Sequence, residues 1–265
     1  TYTTPFVVYC HDVLHKSPET VTFTEIRQFL TTLQEDRNLQ NRTVNHAISE
    51  LKYLLVASGF EWDDFQVPFK NFSSPVLYVP TKNKVLELID SIDDRKKRAM
   101  VVLMYDTGVR VSELCKLKCQ DVYLNDRYIH VEDGKGQNSR DVPICDNTAE
   151  LLTKYWEELP RSKKTRYWLF TQERNISNHA DPEFIQKFMK RHQEAMGYPE
   201  SQRMTPHTLR RAYATHQYMS GVTIERLSKL LGHSTIASTM IYVHLAESLL
   251  AQSIKSPLDG LEFRI

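Results

Sequence analysis

The stretch "LGHSTIASTMIYVHL", Leu231–Leu245, decides how this chain is read. It joins the end of one amphipathic helix to the start of another through Gly232, a residue suited to the left-handed turn that stops helices. His233, Tyr242 and His244 follow the turn. Tyr242 is open to two readings: a tyrosine held in place by its ring, as many are, or a phenol that reacts. His233 fits a C-terminal histidine on the helix dipole, and His244, off the helical face of Tyr242, fits a structural role. The remainder of the chain decides between these readings.

Toward the amino terminus, "TPHTLRRAYATH" (Thr205–His216) places Thr205 as an N-cap and Pro206 at the first helical position. His207 and Arg210 are then i and i+3, on one face at the positive end of that helix. An imidazole and a guanidinium so placed form either a phosphate receptor or an ordinary solvated pair. Arg110, in "DTGVRVSEL", follows a helix-ending Gly108 and opens the next helix, with Glu113 one turn later. "RYIHVED", "GKGQNS" and "RDVPI" form the clearest strand–turn–strand signal in the chain. Lys135 sits at its tip between Gly134 and Gly136. A cation there is either solubilising or able to swing onto a ligand.

The organisation around these motifs is mainly helical. "TFTEIRQFLTTLQED" puts Phe23, Ile26, Phe29, Leu30 and Leu33 on one face, with Thr22 or Thr24 as N-cap. "NRTVNHAISELKYLLVASG" repeats the pattern through Val44, Ile48, Leu51, Leu54 and Leu55, and Gly59 is placed to end it. Residues 61–80 hold Pro68, Pro75 and Pro80 and no helical period, which marks a joint. The expectation is a helical domain over 1–65, a linker over 66–80 and a larger domain over 81–265. The fold class expected is mainly α with one small antiparallel β-sheet.

Composition bounds the partners. The 265 residues carry a net charge of +1, which by itself points to no ligand. The distribution is uneven: six Lys/Arg face nine Asp/Glu in residues 1–78, and 28 face 24 in the rest. The second part is therefore the better candidate to meet an anion. No apolar run approaches the roughly 20 residues of a membrane span, so no membrane contact is expected. Cys10, Cys115, Cys119 and Cys145 show no framework; Cys115 and Cys119 fall four apart on an expected helix with no second pair. They read as buried or half-buried free thiols in a reducing cytoplasm. No HExxH or spaced Asp/His/Cys cluster suggests a metal.

Taken together, "TGVRVSEL", "GKGQNSRDVPI", "HTLRRAYATH", "LGHS" and "TMIYVHL" resemble, in order and spacing, the motif set of tyrosine recombinases. Within that family they are most similar to Xer-type recombinases and to phage or transposon integrases. The resemblance covers essentially all of 79–246 and extends weakly over 1–78. It implies a helical, SAM-like core-binding domain followed by an α+β catalytic domain. It also implies that Tyr242 is the nucleophile, Arg110 and Arg210 the clamps on the scissile phosphate, and Lys135 the general acid. His207 and His233 would assist as acid/base and hydrogen-bond partners, and Glu113 would support the site. Arg211 stands where the family commonly has His, and is expected to support the site or to touch DNA. Lys118, Arg140, Arg203 and Arg211 are the candidate contacts to the DNA backbone.

The chemistry so implied needs these residue types. Paired guanidinium forks neutralise both non-bridging oxygens of a phosphodiester as charge builds in the transition state. A tyrosine phenol, which ordinarily ionises near pH 10, needs help to lose its proton. The leaving 5′ oxygen needs a proton, which a lysine on a mobile tip can deliver. Neither metal nor ATP takes part, so no cofactor is expected. The expected partners are double-stranded DNA recombination sites and three further copies of the chain, joined by exchange of a C-terminal segment. The location implied is the cytoplasm of a bacterium, or of a phage's or mobile element's host. The rival from another class is a non-catalytic helix–turn–helix regulator built on Thr223–Leu245. It leaves Arg110, Lys135 and the His207–Arg210 pair without a purpose.

Overall fold

Thr22 accepts from the backbone N–H of Glu25 while the Glu25 carboxylate accepts from the Thr22 N–H at 2.8 Å, so a capping box fixes the start of a helix over Phe23–Asp36. Such local signals build the whole chain. A computed structural model describes residues 1–72, 77–132, 139–164 and 167–251. The chain divides into two compact units, Thr1–Val76 and Leu77–Ile265.

The first unit holds three α-helices: α1 (Thr3–Asp12), α2 (Phe23–Asp36) and α3 (Asn41–Ala57). The expected apolar faces of α2 and α3 meet in one core that includes Ile26, Leu30, Val44, Leu51 and Leu55, closed by Phe6 and Cys10 of α1. Residues 61–72 carry no helix and are fastened to the unit. Val67 is buried in its core, the Asn45 side chain donates to Lys70 O and accepts from Lys70 N, and Arg27 donates to Gln66 O.

In the second unit α4 (Lys82–Ser91) and α5 (Arg95–Thr107) come first. α5 is the central post, with Met100, Leu103 and Met104 fully buried, and it packs on α7 (Asp146–Glu158) and α9 (Pro206–Met219). Gly108 ends α5 at φ +64°, as its position in the sequence suggests. α6 is only Val111–Cys115, shorter than the sequence pattern predicts, because Lys116 leaves the helix and a 3-10 turn follows at Cys119–Asp121. Cys119 is therefore not on the helix of Cys115, and Cys145, expected to be at least half-buried, is exposed. The Cys115 thiol is pushed up to about 12, by burial first and the Asp181 charge second.

The sheet has three antiparallel strands in the order β1 (Val122–Tyr123), β2 (Tyr128–Val131) and β3 (Arg140–Pro143). β1 has no clear signal in the sequence. Register pairs Ile129 with Val142 and Val131 with Arg140, so these four side chains share the inner face. Lys135 lies on the β2–β3 connection, outside the described residues. α8 (Pro182–Ala195), α9, α10 (Ile224–Leu231) and α11 (Ala237–Ala251) complete the fold. The C-terminal segment after Ala251 also lies outside the described residues. No helix among the described residues is long and apolar enough to cross a membrane.

Two glycines make a test of packing against backbone strain. Both Gly108 (φ +64°) and Gly197 (φ +76°) adopt the left-handed conformation, but a Cβ on Gly108 would lie 2.2 Å from the buried Tyr213 ring and one on Gly197 would meet nothing. Gly197→Ala is expected to cost about 1 kcal/mol, the left-handed penalty alone. Gly108→Ala should cost about 2–4 kcal/mol, since overpacking is added. Urea unfolding of the two variants checks this; equal losses would mean that the Tyr213 ring yields.

Candidate active site

The C-terminal end of α10 organises the site. A helix leaves its last carbonyls without partners, and they carry partial negative charge. Here three consecutive carbonyls are each met by a different arginine. Arg140 Nε donates to Leu230 O at 2.6 Å, Arg210 Nη2 to Leu231 O at 2.7 Å and Arg110 Nη2, more loosely, to Gly232 O at 3.5 Å. Arg210 Nη1 also donates to Gly108 O, the end of α5, at 2.6 Å. Two helix ends thus hold the guanidinium of a residue that is itself buried inside α9.

Glu113 keeps the three like charges together. Its Oε1 accepts from Arg110 Nη1 at 2.9 Å and from Arg140 Nη1 at 3.1 Å. Its Oε2 accepts from the Arg110 backbone N–H at 2.7 Å and from Arg140 Nη2 at 2.9 Å, with Arg210 Nη1 at 3.9 Å. Burial pushes the Glu113 carboxyl up, but the bonds and charge of Arg140, then the Arg110 N–H and charge, outweigh it, and its pKa is lowered. Arg210 is pushed down to about 10, by burial first and the Arg110 charge next, which leaves it charged at neutral pH. Three guanidinium groups face one carboxylate, so the site is a net cationic pocket. Arg110 is its accessible rim, with 42% of its side chain exposed against 5% for Arg210.

His233 links the cations to the phenol. Its Nε2 lies 3.0 Å from Arg210 Nη2, and its Nδ1 lies 2.8 Å from Thr239 Oγ1. A guanidinium only donates, so Nε2 must accept, and the proton sits on Nδ1 and is donated to Thr239. His233 is pushed down to about 4, by burial first and then by Arg210, Arg110 and Arg140, so it is neutral at physiological pH. The Tyr242 ring stacks beside it, 6.1 Å between centroids and 20° between planes. Tyr242 packs on the cluster of Tyr213, Ala214, Leu227 and Leu231.

Arg110, Arg210, His233, Glu113 and Tyr242 are therefore brought together. His207 stands apart: it is exposed on the first turn of α9, where it lines a 430 Å³ cleft with Lys190 and Arg203. The expected backbone contacts are all engaged within the chain. Lys118 Nζ pairs with Glu132 at 2.6 Å, Arg203 Nη1 with Glu194 at 2.9 Å, and Arg211 Nη1 donates to Tyr78 O at 2.9 Å. Arg140 differs most from expectation, with 8% of its side chain exposed and both carboxylate oxygens of Glu113 in its fork. The signal was present: Arg140 alternates with Val142 on a strand, so both face inward. Thr239 was missed, and only its place one turn before Tyr242 hints at it. Among the described residues, no group of three or more His, Cys, Asp or Glu could hold a metal ion.

Known proteins place this geometry in context. Residues 79–248 match the phage integrase family, and residues 1–56 match the phage integrase N-terminal SAM-like domain. The tyrosine recombinase XerA of Thermococcus kodakarensis is 31% identical over 217 residues, which cover 81% of this chain and 74% of that one. The crystal structure of a XerA recombinase superposes with a TM-score of 0.60 at 25% identity, over 96% of this chain and 88% of the other. The XerH site-specific recombinase, solved bound to a palindromic difH substrate as a post-cleavage complex, shares the fold. Its TM-score is 0.71 at 20% identity, covering 89% of this chain and 72% of that one.

The state of His233 gives a pH prediction. The folded chain takes up this proton only near 4, whereas an unfolded chain takes it up near 6.5. Between those values the unfolded state holds more protons, so stability falls as pH drops through this window. NMR of the imidazole nitrogens is expected to show a neutral, Nδ1-protonated ring at pH 5.5, and His233→Gln should flatten the acid-side loss of stability. A ring that titrates near 6.5 would refute the assignment.

Proposed function

We propose, because the chain belongs to the phage integrase family of tyrosine recombinases, that it cuts and rejoins double-stranded DNA at specific sites through a covalent bond between Tyr242 and a 3′ phosphate. The observation that carries this reading is the Tyr242 ring stacked on His233, which is itself bonded to the buried Arg210 of the guanidinium cluster. That cluster supplies what a phosphodiester lacks as an electrophile, a fixed cationic cradle for its non-bridging oxygens.

The phenolic oxygen attacks phosphorus, the phosphorus–5′-oxygen bond breaks, and the phosphotyrosine conserves the bond. Attack by a new 5′ hydroxyl reverses the step, so no energy source is consumed. Arg110 and Arg210 clamp the phosphate. His233, with one ring nitrogen on Arg210 and the other on Thr239, serves as a hydrogen-bond partner and not as a proton carrier. His207, which stands apart from Tyr242 in this structure, keeps the acid/base role that the family resemblance implies only if bound DNA brings the two together. Lys135 protonates the leaving 5′ oxygen, and Glu113 holds the clamps in register. Strand exchange between two sites needs four active sites, hence a homotetramer on two duplexes. The segment after Ala251 docks on a neighbouring subunit, and the exposed Met240, Ile241 and Leu250 of α11 favour such a contact.

A duplex selected by the protein from a random pool, then nicked beside the cut site, tests the reading. With EDTA present and no nucleotide, the wild type is expected to leave a protein–DNA adduct on a denaturing gel. Tyr242→Phe should shift the same DNA in a native gel and leave none. Native shifts alone from the wild type would instead indicate a DNA-binding regulator.

A further inference from the structure

Arg140 is the one arginine of the cluster with no evident route to a substrate. It opens β3 on the inner face of the sheet, opposite Val131, and its side chain is 8% exposed. Three of its donors are committed, Nη1 and Nη2 to the two oxygens of Glu113 and Nε to Leu230 O. It also lies flat against Gly232, where a Cβ would come within 2.7 Å of Nη1. The space for a guanidinium between α6 and the end of α10 is therefore built, and with 8% of its side chain exposed Arg140 offers little surface to a DNA phosphate.

We propose that Arg140 is a positioning residue for strand cleavage: by holding both oxygens of Glu113 it keeps this carboxylate, already bonded to Arg110, from drawing Arg210 onto itself. The charge arrangement argues this. Glu113 is already bonded to Arg110 and has Arg210 at 3.9 Å. A buried carboxylate that loses its bidentate partner seeks another cation, because an uncompensated buried charge is strongly unfavourable. Arg110 is already bonded to it, so the cation left to recruit is Arg210, 3.9 Å away. Closing on Glu113 would turn the Arg210 fork away from the phosphate. Arg140 also ties β3 to the end of α10, next to His233. The inference rests on the recombinase reading above and goes beyond it in assigning a duty to a residue that touches no substrate.

The test uses the full chain and the selected nicked duplex. Arg140→Met is expected to bind DNA with unchanged Kd and unchanged salt dependence, since Arg140 contacts no phosphate. Its single-turnover cleavage should fall by about 100-fold, the scale of a misplaced catalytic group. Most of the loss should vanish on a substrate whose scissile phosphate is a neutral methylphosphonate, which makes little demand on the clamps. It should persist on a substrate with a bridging 5′ sulfur, a leaving group that needs no protonation. Arg140→Lys should recover part of the rate. The double variant Glu113→Gln/Arg140→Met removes both charges, so it should fold even where the single variant does not. It should also cleave faster than Arg140→Met, because no carboxylate remains to capture Arg210, yet stay below the wild type, because Arg110 loses its hold on Glu113.

A lowered salt slope with weaker binding would make Arg140 a phosphate contact and overturn the proposal. So would recovery on the 5′-sulfur substrate, which would place its action on the leaving group. Cleavage at the wild-type rate by Arg140→Met, or a double variant no faster than the single, would overturn it as well. A wild type that forms no adduct at all would sink the recombinase reading itself, which separates the two failures.

Discussion

Everything in the second unit turns on a repulsion that is held in check. Three guanidinium groups from three separate segments, at Arg110, Arg140 and Arg210, occupy one pocket with a single carboxylate. Left alone they would part. They stay because Glu113 binds two of them directly, and because the exposed carbonyls of α10 and Gly108 O receive the rest of their donors. Helix ends are thus used as ligands for cations, and the positions of Gly108 and Gly232 as helix stops become part of the electrostatics. The surplus of positive charge that remains is what a phosphodiester can exploit.

The same arrangement explains the neutral state of His233. A ring beside three cations and half out of water cannot hold a proton near pH 7. With Arg210 on one nitrogen and Thr239 on the other, it is locked as a single tautomer. The lock matters for Tyr242, because the phenol stacks on this ring and Thr239 is one turn before it on α11. Imidazole, phenol and guanidinium are consequently fixed by one short chain of contacts.

Much of this was legible in the sequence, and the parts that were not share a physical reason. Helical period found α2, α3 and the helices after Leu77, and glycines marked where α5 and α10 stop, because both signals are local. The ordered motifs named the residues that now surround Glu113. What escaped was partnership. The brevity of α6, the two-residue strand β1 and the pairing of Arg140 with Glu113 depend on segments far apart in the chain. Backbone carbonyls that receive an arginine have no letter in a sequence at all. Arg211 illustrates the point: its type suggested an anion, yet its fork lies on the Tyr78 carbonyl.

That last contact has a mechanical consequence. Tyr78 is only two residues into the second unit, and it is tethered to α9 beside Arg210. His216 of the same helix meets the Tyr105 hydroxyl of α5 through its Nδ1 at 2.8 Å. The incoming polypeptide is thus moored on the helix that bears Arg210. Any tug arriving through that strap is shared between the helix of Arg210 and the hydrophobic interior, against which Tyr78 packs.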